Sequence, residues 1–160
     1  MSHDMLSARL LSSPTAFKDD WLRQGAKRQA PVPAGPGTEE ALARRVAAGA
    51  RTGGADIVLV AAPVPTAGNS QAPSLRSDAH GLLAAVQSGS PVLLCLPNLS
   101  GAVLTVPADG YALIAGQDNF LSGALPEGVD TACARFSSYA RRNASDRPAL
   151  AAVSARFSTF

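Results

Sequence analysis

The sequence predicts an α/β fold: one layered domain over 1–160, with a short, mostly parallel sheet extended by a β-hairpin. Helices pack on that sheet, and two of them close the chain. Three observations predict it. Segments with helical spacing alternate with short apolar runs. The runs at 57–62 and 91–96 are separated by one helix-length segment, which suits a parallel pair. Two six-residue apolar runs then flank "PADG", a four-residue turn ending in glycine, which suits a hairpin.

The elements follow in order. Residues 5–11 are read as a short strand. In "SSPTAFKDDWLRQG", Ser13 can cap a helix, Pro14 suits its first position and Gly25 stops it, so a helix with Phe17, Trp21 and Leu22 inward is expected. "KRQAPVP" reads as an exposed or extended strand, because Pro31 and Pro33 forbid a central one. "TEEALARRVAAGARTGG" is the next helix, with Leu42, Val46 and Ala50 in the core. "ADIVLVAAP" is the clearest strand, and its continuous apolar run suits burial on both faces.

Residues 63–76 read as a long polar loop. "SDAHGLLAAVQSG" is a helix capped by Ser77, with Leu82, Leu83 and Val86 buried, and "SPVLLCLP" is a second buried strand. After the hairpin, Asp118 can cap a short helix. A longer one runs from about Glu127 with Val129, Cys133, Phe136 and Ala140 on one stripe. The last carries Leu150, Val153 and Phe157 inward. Phe157 and Phe160 place aromatic groups near the chain end, where they can dock on the body or on another chain.

Composition excludes several classes. Hydrophobic residues make up 46% and charged residues 16%, a globular balance; aromatics are only 5%, so the core must be aliphatic. The net charge of +2 is too small to argue by itself for nucleic-acid binding, which needs a clustered basic face. Lys18 and Lys27 are the only lysines, and with so much alanine the arginine bias points to a GC-rich bacterial genome. Neither a secretory leader nor an apolar run of about 20 residues is visible, so a cytoplasmic protein without a membrane span is expected. Cys95 and Cys133 lie in apolar patterns and read as buried free thiols.

"PAGPGTEEAL" has the outline of a phosphate-binding turn. It lacks the Gly-Lys-Ser/Thr ending of a P-loop, and Glu39 and Glu40 in the first helical turn would repel a phosphate. It reads as a helix start capped by Thr38. The dinucleotide fingerprint GxGxxG is absent as well. HExxH and CxxC are also absent, so neither a metal nor another cofactor is expected.

The richest polar stretch is "GNSQAPSLRSDAH", after the clearest strand. A small-molecule site here would use His80 as acid or base, Asp78 to orient it, and Arg76 as an anion clamp. Asn69, Ser70 and Ser74 would line it, with Asn98 and Ser100 facing it from the 97–101 loop. The competing reading, which the frequency of such caps favours, is that Ser77 and Asp78 only cap the helix. A Cys95–His80 pair is a weaker alternative, since Cys95 sits in an apolar run. The single basic cluster is C-terminal: Arg135 and Arg142, seven apart on one helix face, with Phe136 and Tyr139 between them. It could meet nucleic acid or an acidic partner protein, but the low net charge favours a solvated face.

With no motif for catalysis, the sequence leans towards a non-catalytic binding or accessory protein of bacterial type that engages another protein. The alternative is a small enzyme or small-molecule-binding domain with its site at the 63–80 and 97–101 loops.

Overall fold

The computed structural model describes residues 3–63 and 73–157. The chain opens with helix α1 (His3–Leu10), where a strand is expected. The reason is spacing: Leu6 and Leu10 stand four apart and are both buried, a helical stripe rather than an alternating one. The expected helix at 12–25 is mostly replaced by a small hairpin, β1 (Leu11–Ser13) paired with β2 (Ala16–Phe17). Pro14 lies in its turn, and the Thr15 amide donates to Ser13 Oγ at 3.2 Å, the local side-chain bond with which serine competes against helix. Only one helical turn survives, α2 (Asp19–Arg23). Trp21 is buried there, its ring centroid 5.2 Å from that of Phe17.

Next come β3 (Arg28–Pro33), α3 (Glu39–Thr52), β4 (Ile57–Ala61) and β5 (Ser74–Arg76). They are followed by α4 (Ala79–Val86), β6 (Leu93–Cys95), β7 (Gly101–Val106) and β8 (Tyr111–Gly116). Three helices end the chain: α5 (Asp118–Ala124), α6 (Val129–Arg142) and α7 (Ala149–Phe157).

The α/β class holds, but the sheet is not mostly parallel. Its six strands run in the order β3-β8-β7-β6-β4-β5, and every neighbouring pair is antiparallel. The difference comes from β5, three residues inside what reads as a polar loop. It pairs back on β4, so the α4 crossover starts from β5 rather than from β4. β5 and β6 therefore point the same way, with β4 between them running against both. The β7–β8 hairpin forms as expected, with Pro107–Asp109 as a 3-10 turn and Gly110 left-handed at φ 80°.

The sheet carries helices on both sides. Register places Gly101 opposite Gly116, and the Phe120 ring of α5 rests against both. α5 packs on α3, and α3 packs on α4, so these three form one layer. Side chains alternate along a strand, so Tyr111, Leu113 and Ala115 point to the other side. There the Tyr111 and Phe136 rings meet at 6.4 Å. α6 and α7 pack against β3, and α1 packs against β4.

Every residue of β7 and β8 is buried, which identifies these two as the central strands. β4 is less covered than its apolar run suggests, and Ile57 is exposed. β3 is an edge strand, as its prolines require, but Ala30, Pro31 and Val32 are buried. Leu42, Val46 and Ala50 of α3, the Val129/Cys133/Phe136/Ala140 stripe of α6, and Leu150, Val153 and Phe157 of α7 all lie in the core. In α4 only Leu82 is fully buried; Leu83 and Val86 are half-buried. Phe160 lies outside the described residues. No helix among the described residues is long and apolar enough to cross a membrane.

Candidate functional site

The antiparallel arrangement decides which of the polar residues meet. Arg76 pairs with Ile57 at the start of β4, so β5 delivers Arg76, Ser77 and Asp78 beside the end of α3. There they line an open cleft of about 740 Å³ together with Arg44, Arg51 and Asp56. Three of its polar side chains, Arg44, Ser77 and Asp78, are engaged locally. The Asp78 carboxylate accepts the Gly81 amide at 2.6 Å and is the true cap of α4, the role expected of Ser77. Ser77 instead donates its hydroxyl to the Ala55 carbonyl at 3.0 Å. His80 is exposed on the first turn of α4 and does not line the cleft. Ser74 is exposed on β5.

Asn98 and Ser100 do not line this cleft either. Ser100 is buried, and its hydroxyl and amide both donate to Asn98 Oδ1, at 2.7 and 3.0 Å, which holds the β6–β7 turn together. Leu99, between them, has φ 61°, and its carbonyl accepts the Trp21 indole N–H at 3.2 Å. This turn is thus a structural junction between α2 and the sheet. Asn69 and Ser70 lie outside the described residues.

Cys95 forms no pair with His80. Register puts its side chain on the Tyr111 side of the sheet, opposite the α3–α4–α5 layer. Its thiol donates to the Leu96 carbonyl, and burial pushes its pKa up to about 12. Among the described residues, no group of three or more His, Cys, Asp or Glu side chains could hold a metal ion.

The C-terminal arginines form the better-built arrangement. Arg135 and Arg142 on α6 line a groove of about 360 Å³ with Arg45 of α3, Glu127 and Tyr139. Val32 and Ala132 are among its apolar lining. Arg45 holds Glu127 with two parallel bonds, Nη1 to Oε1 at 2.8 Å and Nη2 to Oε2 at 2.7 Å, and it also donates to the Ala124 carbonyl at 3.0 Å. Arg135 reaches the same carboxylate at 3.3 Å. The Arg45 hydrogen bond is the main reason the Glu127 carboxyl sits below its ordinary range; burial opposes the shift, and the Arg45 and Arg135 charges add to it.

Among the described residues Glu127 is the only carboxylate lining the groove, and both of its oxygens are engaged. Arg142 makes no ion pair among the described residues, and the Arg135 side chain is 68% exposed. The groove therefore keeps an excess of positive charge over a partly apolar floor. Arg45 and Glu127 are the residues that sequence reading misses here. They lie 82 positions apart, and only the packing of α3 against α5 and its following turn brings them together.

Comparison with family models, with curated proteins and with solved structures finds no match for this chain.

Proposed function

We propose that the chain is a non-catalytic binding domain that engages another protein, and that the Arg45–Arg135–Arg142 groove is its docking site. One observation carries this reading: three guanidinium groups converge on a groove whose single carboxylate is already satisfied. Such a surface suits an acidic segment with an apolar side chain, the carboxylates on Arg135 and Arg142 and the apolar group near Val32 and Tyr139. Arg45, tied down by Glu127 and Ala124, gives the groove a fixed wall.

The alternative, a small-molecule site at the 63–80 and 97–101 loops, has less support. Asn98 and Ser100 are spent on their own turn, away from the cleft that holds Arg76 and Asp78.

The test is fluorescence anisotropy with a labelled Asp/Glu-rich peptide carrying one Phe, against its Asn/Gln counterpart. The acidic peptide should bind and the neutral one should not. Arg135→Glu with Arg142→Glu should abolish binding while leaving the fold intact, since both side chains lie at the surface. Equal binding of the two peptides, or an unaffected double variant, sinks the docking site. Tight binding of an oligonucleotide with a steep salt dependence would replace the protein partner by nucleic acid.

A further inference from the structure

A second cleft, of about 390 Å³, lies between the turn that leads into α3, the end of α4 and the β7–β8 turn. It shares no lining residue with the arginine groove. Its volume is within the range of small-molecule sites, roughly 300–1,000 Å³. Leu42, Val86 and Pro107 give it apolar walls, and Glu39, Gln87 and Arg147 supply charged and polar side chains.

Two of its walls are pinned in place. Thr38, which stands at the cap position of α3, spends its hydroxyl on the turn instead. It accepts the Gly35 amide at 2.6 Å and donates to the Gly35 carbonyl at 2.8 Å. On the other side, the Tyr139 hydroxyl donates to the Gly110 carbonyl at 2.8 Å, and the Arg147 side chain lies against Gly110. A cleft held open this way needs little reorganisation to accept a ligand.

Arg147 is the group that asks for one. Its guanidinium has five N–H donors. The half-buried side chain uses one of them, in a long 3.5 Å bond to the Ala108 carbonyl, and it makes no ion pair among the described residues. Glu39 decides the charge of what fits. Its carboxylate accepts the Gly37 amide at 2.9 Å and lines the same cleft, so a dianionic phosphate would meet a negative charge. A planar monoanion matches the arginine fork and meets about half that repulsion.

We propose that this cleft binds a small organic carboxylic acid, its carboxylate on Arg147 and its apolar body on Leu42, Val86 and Pro107. The experiment is an amide-resolved NMR titration with phenylacetate and hexanoate, set against phenylacetamide and phenyl phosphate. At least one of the two carboxylates should give saturable shifts at Gly35, Gly89 and Ala108 below about 10 mM, and phenylacetamide should bind about tenfold more weakly than phenylacetate. Arg147→Gln should lower carboxylate affinity by about tenfold. Ala108→Trp, a change at an exposed rim position, should block the cleft without disturbing the core. If Arg147→Gln does not fold, Ala108→Trp decides alone. The proposal is overturned if neither carboxylate gives saturable shifts, if the shifts map elsewhere, if the amide or the phosphate binds as well as the acid, or if Ala108→Trp still binds.

Discussion

Arg45 and Glu127 stand 82 positions apart in the chain and meet in a two-bond ion pair, with N–O distances of 2.8 and 2.7 Å. The Glu127 side chain is 9% exposed and that of Arg45 27%, so the pair is shielded from water on most sides. A shielded pair is weak evidence of net stabilisation, because desolvating two charges is costly. Removing one partner is a different matter, since it strands the other.

Glu127→Gln should therefore destabilise the fold by about 3 kcal/mol, read from the urea midpoint at neutral pH. The pH dependence follows from the lowered carboxyl pKa. The unfolded chain holds the Glu127 proton more tightly than the folded one. The contribution is therefore complete above the ordinary value of 4.5 and is lost as pH falls through the lower folded value. The gap between wild type and Glu127→Gln should narrow over that acid range. A gap that stays constant from neutral to strongly acidic pH would show that the variant acts through packing rather than charge.

Phe120 makes a second tight contact, with two glycines. The atoms nearest to a Cβ on Gly101 would all belong to the Phe120 ring, whereas one on Gly116 would stand 2.6 Å from that ring and 2.8 Å from the Ser100 carbonyl oxygen. Each alanine substitution should cost about 1–3 kcal/mol by overpacking. The two should part company in a Phe120→Leu background. There Gly101→Ala should become much milder, because its nearest obstacle is a side chain. Gly116→Ala should stay costly, because backbone does not yield. Urea melts of the two double-mutant cycles check this, and equal coupling in both would refute the assignment.

How much of this could be read beforehand depends on the range of the forces involved. The stripes of α3, α6 and α7 are local periodicities, so Val129, Cys133, Phe136 and Ala140 declare their helix and its buried face without help. The β7–β8 hairpin is equally local. The sheet direction is not, because it hangs on Ser74, Leu75 and Arg76, an alternation of three residues too short to declare a strand, held by pairing with β4. That one missed strand turns the expected parallel pair antiparallel. The polar cluster at 76–80 was visible as composition, but its geometry depends on where β5 lies. Ser100 and Asn98 looked available and are bound to each other. The arginine pair on α6 was legible from its spacing of seven, whereas its wall, Arg45 with Glu127, required the tertiary fold.

Cys95 offers the last prediction, because it separates a buried thiol from a reactive one. The residue is 2% exposed, and its pKa is raised to about 12 by burial. The thiolate is the reactive species, so at pH 8 the folded protein should hold almost none of it at this position. Iodoacetamide in native buffer should leave Cys95 unmodified over hours, and it should label the residue rapidly once the chain is unfolded in urea. Cys133 is also buried, and its pKa is raised chiefly by burial, with Asp130 adding to the effect and Arg28 opposing it, so it too should be protected. Peptide mass mapping distinguishes the two sites. Rapid native labelling at Cys95 would mean that the β6 region opens readily or that the thiol is activated, and either result would return this side of the sheet to the search for chemistry.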